Sequence, residues 1–402
     1  MPRSPHTQKE KVNLAASSWL PSLSRWLLYL IFFFAPTQLG LHFWPDSALI
    51  YGIRVDYLSP TLYFLDLLIV FYLLVQKISH LPLKSSGWYL KSLLPFLLVN
   101  LLFSTNPLST LSWSLHFSLY FLFLFSLSFP LIRRLAPILL LSLITQLALA
   151  LIQVALGHSL QGLLYYLGER MVSVGSPNIA QAVFMDRVVL RAYGTFSHPN
   201  ILAGWLVISL LILRRLNPRR FVLAISGALT ILGVFLTQSR SSALALFGII
   251  IPFYFLRSLR SRLLYFAFFL VLSSYFLFPI FISRSDLSLT ERLDLQDVSL
   301  QVIRQFPLFG TGAQASISTY PVVSPSLRLL QPDHNSFTLF LSWFGLVGVF
   351  SLLSFLTSNI YHLFPILPLL LLDHYLLTSP QGLFILLFYL ALHYFYVQNH
   401  RQ

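Results

Sequence analysis

The chain has 402 residues, of which 56% are hydrophobic and 9% are charged, and its mean hydropathy is +0.76. Soluble domains carry about 25% charged residues, so this composition excludes a soluble globular protein and predicts an integral membrane protein. The net charge of +14 would suit a nucleic-acid partner. Basic cytoplasmic loops explain it instead, and we expect no nucleic-acid binding. The absence of cysteine excludes disulfides and Cys-ligated metals.

The apolar residues form near-continuous blocks, many of them close to the ~20 residues needed to cross the hydrocarbon core of a bilayer. We therefore predict an all-α fold, a polytopic bundle of about twelve transmembrane helices in a single integral membrane domain over residues 1–402. In chain order the predicted spans are Trp26–Trp44, Leu58–Val75, Leu90–Phe103, Leu108–Phe129, Leu135–Leu156, Pro199–Leu213, Phe221–Leu236, Ala243–Leu256, Leu263–Ile282, Ser336–Leu356, Ile360–Leu372 and Gly382–Val397.

Basic residues concentrate on alternate loops of this arrangement. One side holds 17 of the 26 Lys and Arg residues and a single acid, Glu10, whereas the other side holds 9 basic and 11 acidic residues. Lys and Arg mark the cytoplasmic side of a membrane protein. The pattern predicts a multi-pass protein of the inner, cytoplasmic membrane with both termini in the cytoplasm.

Every chemically distinctive polar stretch then falls on the extracytoplasmic side. The cytoplasmic connections are short and basic, so we expect the active site to be extracytoplasmic. The polar stretches are Asp46–Asp56, Gly157–His198, Thr237–Ser241, Ser283–Asn335 and Asp373–Gln381.

The first long polar stretch, a motif loop over residues 157–198, ends in the run from Arg191 to Asn200 that contains His198-Pro199. Proline suits the first turn of a helix, so His198 is either a helix cap or part of a site with Asn200. An arginine at the mouth of a bundle usually has an anionic partner, which makes Arg191 a candidate ligand for an anion.

A tight polar patch, Thr237-Gln-Ser-Arg240-Ser-Ser, separates two apolar spans. Because the turn is short, Arg240 cannot extend far into water and is expected to face a cavity. The alternative is a structural ion pair with Asp333 or Glu169.

The large polar loop, residues 283–335, is the predicted catalytic loop. It contains Arg292 and the run Val298–Gln305, whose apolar spacing predicts a short helix. The glycines of Pro-Leu-Phe-Gly310-Thr-Gly312 permit a tight turn or a close approach of two backbones. No phosphate-binding P-loop pattern is present in the sequence.

Two Asp-His pairs lie next to apolar spans. Asp333-His334-Asn335 directly precedes one span, and Asp373-His374 begins the last polar stretch. Either Asp333 or Asn335 could cap a helix, with His334 incidental. Two histidines without cysteines or clustered carboxylates do not make a metal-ligand set, so no metal and no cofactor is predicted.

Three extracytoplasmic arginines, Arg191, Arg240 and Arg292, together with His334, indicate an anionic substrate and a general base. Guanidinium groups bind phosphate oxygens in a two-pronged manner, and histidine can take a proton from an attacking hydroxyl near neutral pH. Nucleotide sugars are not supplied outside the cytoplasm. The expected donor is therefore a polyprenyl diphosphate glycan.

The order of these short motifs resembles the O-antigen ligase/polymerase superfamily. The resemblance extends from about Arg191 to Gly348. The matching motifs are Arg-x-x-Gly-x-Phe-x-His-Pro-Asn from Arg191, Thr-x-Ser-Arg ending at Arg240, an arginine (Arg292) before Pro-Leu-Phe-Gly-x-Gly, and His-Asn at His334 followed by Gly345-Leu-Val-Gly348.

This resemblance implies a GT-C-like membrane fold whose extracytoplasmic loop carries short helices. It implies a metal-independent, inverting glycosyltransferase that transfers a glycan from undecaprenyl diphosphate to an acceptor hydroxyl. Arg240 and Arg292 match the diphosphate-binding arginines and His334 matches the proposed base, while Arg191 matches a motif arginine of less defined role. Supporting positions are His198, Asn200, Asp333, Asn335, Asp373 and His374.

Three functions remain open at this point. A glycan ligase or protein O-oligosaccharyltransferase is favoured, with a lipid, glycan or protein as acceptor. A polysaccharide polymerase of the same superfamily is the second. A transporter of lipid-linked glycans is the third, but it would be expected to place charges near the middle of its spans, where only Asp66 stands out.

The predicted topology can be tested by cysteine labelling of this Cys-free chain. Cysteines introduced singly at Ser318 and Ser258 should react oppositely with a membrane-impermeant maleimide in intact cells. Ser318→Cys should label because its loop is extracytoplasmic, and Ser258→Cys should be protected. Labelling of Ser258→Cys alone would contradict the topology.

Overall fold

A computed structural model of the chain describes residues 6–78, 89–177, 179–184, 186–217, 219–255, 287–325, 330–356 and 360–401, with positions 258, 260, 261, 263–265 and 267. Over the described residues the fold is mostly helical, with few short strands. In the described residues, four helices are both long and apolar enough to cross a membrane. The count of twelve spans and the GT-C-like arrangement stay predictions.

The α-helices, numbered in chain order over the described residues, coincide with most of the predicted apolar spans. They are α1 (His6–Phe34), α2 (Phe64–Ile78), α3 (Leu94–Leu102), α4 (Pro107–Ser126), α5 (Phe129–Arg133), α6 (Ala136–Leu156), α7 (Pro199–Leu216), α8 (Arg220–Thr237), α9 (Arg240–Ala243), α10 (Leu287–Gln305), α11 (Tyr320–Val323), α12 (Ser336–Leu356), α13 (Leu367–Leu372), α14 (Tyr375–Thr378) and α15 (Pro380–Arg401). Helices α4, α6, α7 and α8 are the four long apolar ones.

The helix α9 continues as a wider, π-type helix over Leu244–Phe255. The two together cover the predicted span Ala243–Leu256 as far as Phe255, where this run of described residues ends. The predicted helix at Val298–Gln305 is confirmed as the last part of α10. The predicted span Leu263–Ile282 lies outside the described residues, apart from a few isolated positions.

The first predicted span, Trp26–Trp44, is wrong at its end. Helix α1 stops at Phe34, and the next residues form β1 (Gly40–His42), which pairs in antiparallel fashion with β4 (Thr61–Tyr63). Leu41, Phe43 and Trp44 extended the apolar pattern, but they lie in or directly after a strand that follows the helix end. Hydropathy alone does not separate these two conformations.

Two further antiparallel hairpins occur in the described part of the chain, and neither was predicted. They are β2 (Leu49–Ile50) with β3 (Ile53–Arg54), and β5 (Gln181–Phe184) with β6 (Arg187–Leu190). Both lie in stretches that the sequence identified as polar connections.

The helix α7 lies at the centre of the bundle. Of the most apolar 18-residue stretch of α7, 83% is buried inside the protein, against 28% of the corresponding stretch of the neighbouring helix α8. A helix that is apolar all round is either packed on every side by protein or faces lipid. The central position of α7 fixes its first residues, Pro199 and Asn200, at the place where several other helices begin or end.

A second, smaller core holds the loops at this end of the bundle together. Leu295, Val298 and Val302 of α10 are buried against Ile50 and Leu58 of the segment between α1 and α2. The spacing of the three α10 residues places them on one face of the helix. The core thereby anchors the helix that carries Arg292.

The helix α12 is interrupted at Gly345, where the backbone adopts φ 59° and ψ −164°. The turn around Gly310 packs directly on this break, with Thr311 N donating to Ser342 O (2.9 Å) and Leu346 N donating to Pro307 O (2.9 Å). The close backbone approach predicted for Gly310 is confirmed, since a Cβ there would lie 2.4 Å from the Trp343 carbonyl carbon.

Replacement of Gly345 by alanine should destabilise the protein by about 1–3 kcal/mol, because a side chain is strained at this φ and its Cβ would lie 2.3 Å from Leu308 O. Gly227 of α8 is a matched control, since a Cβ there meets no atom within 4 Å. Gly227→Ala should be neutral or stabilising. Thermal unfolding in detergent measures both, and equal melting temperatures would contradict the role of the break.

Candidate functional site

A polar cavity of about 380 Å³ opens where the helix ends meet. Among the residues predicted to form the site, His198, Asn200, His334, Asp373 and His374 all line it. These residues are up to 176 positions apart in the sequence, and the folding of α7, α12 and the α13–α14 connection brings them together.

The buried carboxylate of Asp373, which follows the end of α13, is the centre of a hydrogen-bond chain. Asn200 Nδ2 donates to Asp373 Oδ1 (3.0 Å), and the Ser241 hydroxyl donates to Asp373 Oδ2. Arg191 donates from Nη2 to Asn200 Oδ1 (2.7 Å) and from Nε to Thr237 O (2.6 Å). The motif that begins at Arg191 is thus joined to the Thr-x-Ser-Arg patch through Asp373.

The Asp373 carboxyl is held in its charged form. Burial raises its pKa, but the neighbouring His334 ring, the Ser241 hydroxyl and the Arg292 guanidinium together outweigh burial, so its pKa lies below the ordinary value. The site therefore has a fixed negative charge at its base.

His334 lies beside this carboxylate without a hydrogen bond to it. The distance from His334 Nδ1 to Asp373 Oδ1 is 3.9 Å, and the buried Nδ1 has no hydrogen-bond partner among the described residues. An approach about 1 Å closer would create a hydrogen bond. The His334 ring also packs edge-on against His374 at 4.9 Å.

His374 is held in its neutral form. Its Nδ1 lies 2.7 Å from the hydroxyl of Thr378, one turn further along α14. Burial and the neighbouring His334 lower the pKa of His374 well below its ordinary value. Its hydrogen bond and its aromatic contacts indicate that His374 supports His334 rather than exchanging protons.

His198 is confirmed as a helix cap, because its Nδ1 accepts from Asn200 N (3.2 Å) at the start of α7. Burial and the charge of Arg191 lower the pKa of His198 to about 3. Asn335 caps α12 in the same way, accepting from Phe337 N (2.9 Å) and Thr338 N (3.3 Å).

Asp333 lies beneath this cap rather than in the cavity. It accepts from Asn335 N (3.1 Å) and from the hydroxyl of Thr338. Burial raises its pKa although these hydrogen bonds oppose the rise. The helix-cap interpretation of the Asp333–Asn335 run is therefore confirmed, and His334 is the member of the run that faces the cavity.

The three predicted arginines lie near one another, but in the described structure none of them lines the polar cavity. Burial lowers the pKa of Arg191 to about 10, with the charges of Arg240 and Arg292 acting in the same direction. Arg240 begins α9, and Arg292 Nη1 donates to Leu372 O (3.2 Å) beside Asp373. They form a cationic cluster at the edge of the site.

Two charged residues that were not predicted as site residues, Asp56 and Arg170, also line the cavity. Arg170 lines it and donates from Nη1 to Ser197 O (2.8 Å). Its position within the 157–198 loop was the available signal. Glu169, offered as a partner for Arg240, instead accepts from Gln153 Nε2 (2.8 Å) and from Gln161 N (2.6 Å).

A larger apolar cavity of about 510 Å³ lies beside the polar one. It is lined mainly by Phe and Leu side chains of α3, α4, α12 and α15. The two cavities share Trp113, Leu377 and Leu383 as lining residues. A polar site and an apolar site are thus direct neighbours in this protein.

Residues 225–353 match the family model described as O-antigen ligase. The match covers about one third of the chain and includes Arg240, Arg292, His334 and the Gly345 break. The resemblance to the O-antigen ligase superfamily is thereby confirmed, and a ligase- or polymerase-type function in a membrane protein is supported. Comparisons with the curated proteins and with the solved structures give no match.

The depressed pKa of His198 makes a prediction about stability. As the pH falls below about 6.5, the unfolded chain protonates this histidine before the folded chain does, so the free energy of unfolding should decrease by up to about 1.4 kcal/mol per pH unit. His198→Asn keeps a good helix cap and removes the titration. The fall in melting temperature between pH 7.5 and 5.5 should be smaller in this variant, and an equal fall would contradict the prediction.

Proposed function

We propose that this chain, which carries the O-antigen ligase match, transfers a glycan from a polyprenyl (undecaprenyl) diphosphate carrier to an acceptor hydroxyl on the extracytoplasmic face. The observation that carries the proposal is that a polar cavity, lined by Arg170, and an apolar cavity share the wall residues Trp113, Leu377 and Leu383. A lipid-linked glycan has the same division, with an apolar tail, an anionic diphosphate and a neutral sugar.

The sizes of the two cavities suit this kind of ligand. Cavities of about 300–1,000 Å³ hold small-molecule ligands, and the polar and apolar cavities have volumes of about 380 and 510 Å³. The apolar cavity would hold the part of the prenyl chain next to the diphosphate. The rest of the chain would lie in the bilayer.

Arg240 and Arg292 are proposed to bind the diphosphate. Guanidinium groups bind phosphate oxygens with two parallel hydrogen bonds, and they stabilise the charge that develops on a leaving diphosphate. Arg191 is instead proposed to position the site, because Thr237 O and Asn200 Oδ1 already accept from two of its nitrogens. Arg170 is a further cation that the diphosphate could contact.

His334 is proposed as the general base. The acceptor oxygen forms a bond to the anomeric carbon as its proton passes to the imidazole. The bond between the anomeric carbon and the phosphate oxygen breaks, and the diphosphate leaves with the electron pair. Displacement from the opposite face inverts the anomeric centre. Asp373, 3.9 Å from His334 Nδ1, would stabilise the imidazolium that forms.

The proposed reaction can be tested with purified protein in detergent or nanodiscs. Undecaprenyl diphosphate glycan is mixed with a lipid-core acceptor, a second lipid-linked glycan or an acceptor protein. A ligated, polymerised or glycosylated product identifies the acceptor class, and the matching nucleotide sugar should give no product. Movement of lipid-linked glycan across a proteoliposome membrane without any transfer would favour the transporter instead.

Variants of the site should separate base from donor binding. His334→Ala should lower the transfer rate by about 10²–10⁴-fold and leave donor binding nearly intact, because a base acts on the acceptor. Arg240→Ala should weaken donor binding by about 1.5–3 kcal/mol as well as the rate. Arg240→Lys should restore only part of this loss, because an ammonium group does not reproduce the planar fork.

Matched controls are available on the same chain. Arg187 is exposed on the β5–β6 hairpin and His158 lies before the 3₁₀ helix Gly162–Leu167, so alanine at either position should leave transfer unchanged. EDTA should not slow the reaction if it is metal-independent. Wild-type turnover by His334→Ala together with inhibition by EDTA would refute both the base and the metal-free mechanism.

A further inference from the structure

Within the same polar cavity, a second histidine is held by a buried carboxylate. His116 of α4 lines the cavity with 15% of its side chain exposed, and its Nε2 lies 3.0 Å from Asp66 Oδ2. Asp66, in the first turn of α2, also accepts from Tyr63 N (2.8 Å) and from the Tyr120 hydroxyl (2.9 Å). No step of the proposed mechanism uses either residue.

The bonding around Asp66 fixes the tautomer of His116. The backbone N–H of Tyr63 can only donate, so Asp66 Oδ2 accepts a hydrogen bond from it. The same oxygen then also acts as an acceptor toward His116. The Nε2 of His116 therefore carries a hydrogen, and in the neutral ring the Nδ1 is a hydrogen-bond acceptor. A carboxylate–histidine pair of this kind holds an imidazole in one orientation.

Gln381 contributes the complementary group. It is the second residue of α15, lines the same cavity and is 1% exposed, yet its amide Nε2 has no hydrogen-bond partner among the described residues. An unpaired buried amide is costly. A ligand that accepts a hydrogen bond in the cavity would remove that cost.

The packing of α4 and α15 places His116 and Gln381 on facing parts of two neighbouring helices. Contacts between the two helices advance in the same direction along both, from the rings of Tyr120 and Phe384 (5.6 Å) to the rings of Phe125 and Tyr394 (5.6 Å). The helices therefore run parallel. His116 and Gln381 each precede the Tyr120–Phe384 contact by about one helical turn.

We propose that His116 and Gln381 form a subsite for a neutral sugar. His116 accepts a hydrogen bond from one sugar hydroxyl, and Gln381 donates to another oxygen of the same ring. Asp66 is the positioning residue for His116. An acceptor at His116 and an amide donor at Gln381 match the mixed donor and acceptor character of sugar hydroxyls. Neither residue of the pair carries a guanidinium group of the kind proposed to bind the diphosphate, so a neutral ring rather than a phosphate is expected. The inference rests on the proposed glycan transfer.

Two sources of the sugar are possible, namely the donor glycan and the acceptor glycan, and steady-state kinetics distinguishes them. Gln381→Met removes the amide and keeps a similar volume. His116→Phe removes both ring nitrogens, and Tyr120→Phe is its matched control because it also deletes one hydrogen bond to Asp66. Tyr120 does not line the cavity in the described structure.

Gln381→Met should raise the KM of one of the two glycans about five- to tenfold and leave the melting temperature equal or higher, because an unpaired buried group is lost. A purely structural role would not raise KM in this way. His116→Phe should raise the KM of the same glycan, and Asp66→Asn should do so to a smaller degree. Tyr120→Phe should keep the wild-type KM although its stability falls as much as that of His116→Phe.

A rise in the KM of the lipid-linked glycan would assign the subsite to the donor, and a rise for the other substrate would assign it to the acceptor. Wild-type KM values for both glycans in Gln381→Met and His116→Phe, with transfer intact, would overturn the subsite and leave the transfer proposal standing. If the wild-type protein transfers no glycan, saturation-transfer NMR with a neutral oligosaccharide decides. Binding that is lost in both variants supports the subsite, and unchanged or absent binding overturns it.

Discussion

The buried carboxylate of Asp373 is the interaction on which the arrangement of the site depends. A charge that is 3% exposed is stable only if donors and cations replace its water. Here the donors come from the start of α7 and the start of α9, while the backbone carbonyl of Asp373 accepts from the Ser336 hydroxyl at the start of α12 (2.7 Å). The hydrogen bonds of this one residue, through its carboxylate and its backbone carbonyl, therefore fix the relative positions of three helices that come from distant parts of the sequence.

Hydropathy and helix-start signals were enough to predict most helices, and five of the predicted site residues line the polar cavity. The predicted span Leu135–Leu156 agrees with α6 within one residue, and Pro199 begins α7 as its missing N–H suggested. Distant residues such as Asn200, His334 and Asp373 could be grouped because the loop charges assigned their stretches to one side. Assigning residues to the same side of the membrane does not reveal which of them are in contact, so the hydrogen bond from Asn200 to Asp373 could not be predicted.

Other features lacked a signal for a physical reason. His116 occurs in an aromatic and aliphatic run, where one polar residue reads equally well as a satisfied core histidine, and its role depends on Asp66, 50 positions earlier. The sequence grouped all three arginines as candidate anion ligands, and the role of Arg191 was the least defined of the three. The structure distinguishes two of them by their partners among the described residues. The nitrogens of Arg191 donate to Thr237 O and Asn200 Oδ1, whereas Arg292 Nη1 donates to the backbone carbonyl of Leu372 (3.2 Å).

The distribution of satisfied and unsatisfied polar atoms connects stability with function. The buried Asp66 accepts from Tyr63 N and the Tyr120 hydroxyl, and the buried Asp373 accepts from Asn200 and Ser241. A buried carboxylate without such donors would cost several kcal/mol. In contrast, His334 Nδ1 and Gln381 Nε2, on the wall of the cavity, have no partner among the described residues. Neutral groups can remain unpaired at a lower cost of about 1–3 kcal/mol. In the proposed reaction a substrate would supply the partner of Gln381 Nε2 and Asp373 that of His334 Nδ1, so the carboxylates would keep the cavity in shape while the amide is available for binding.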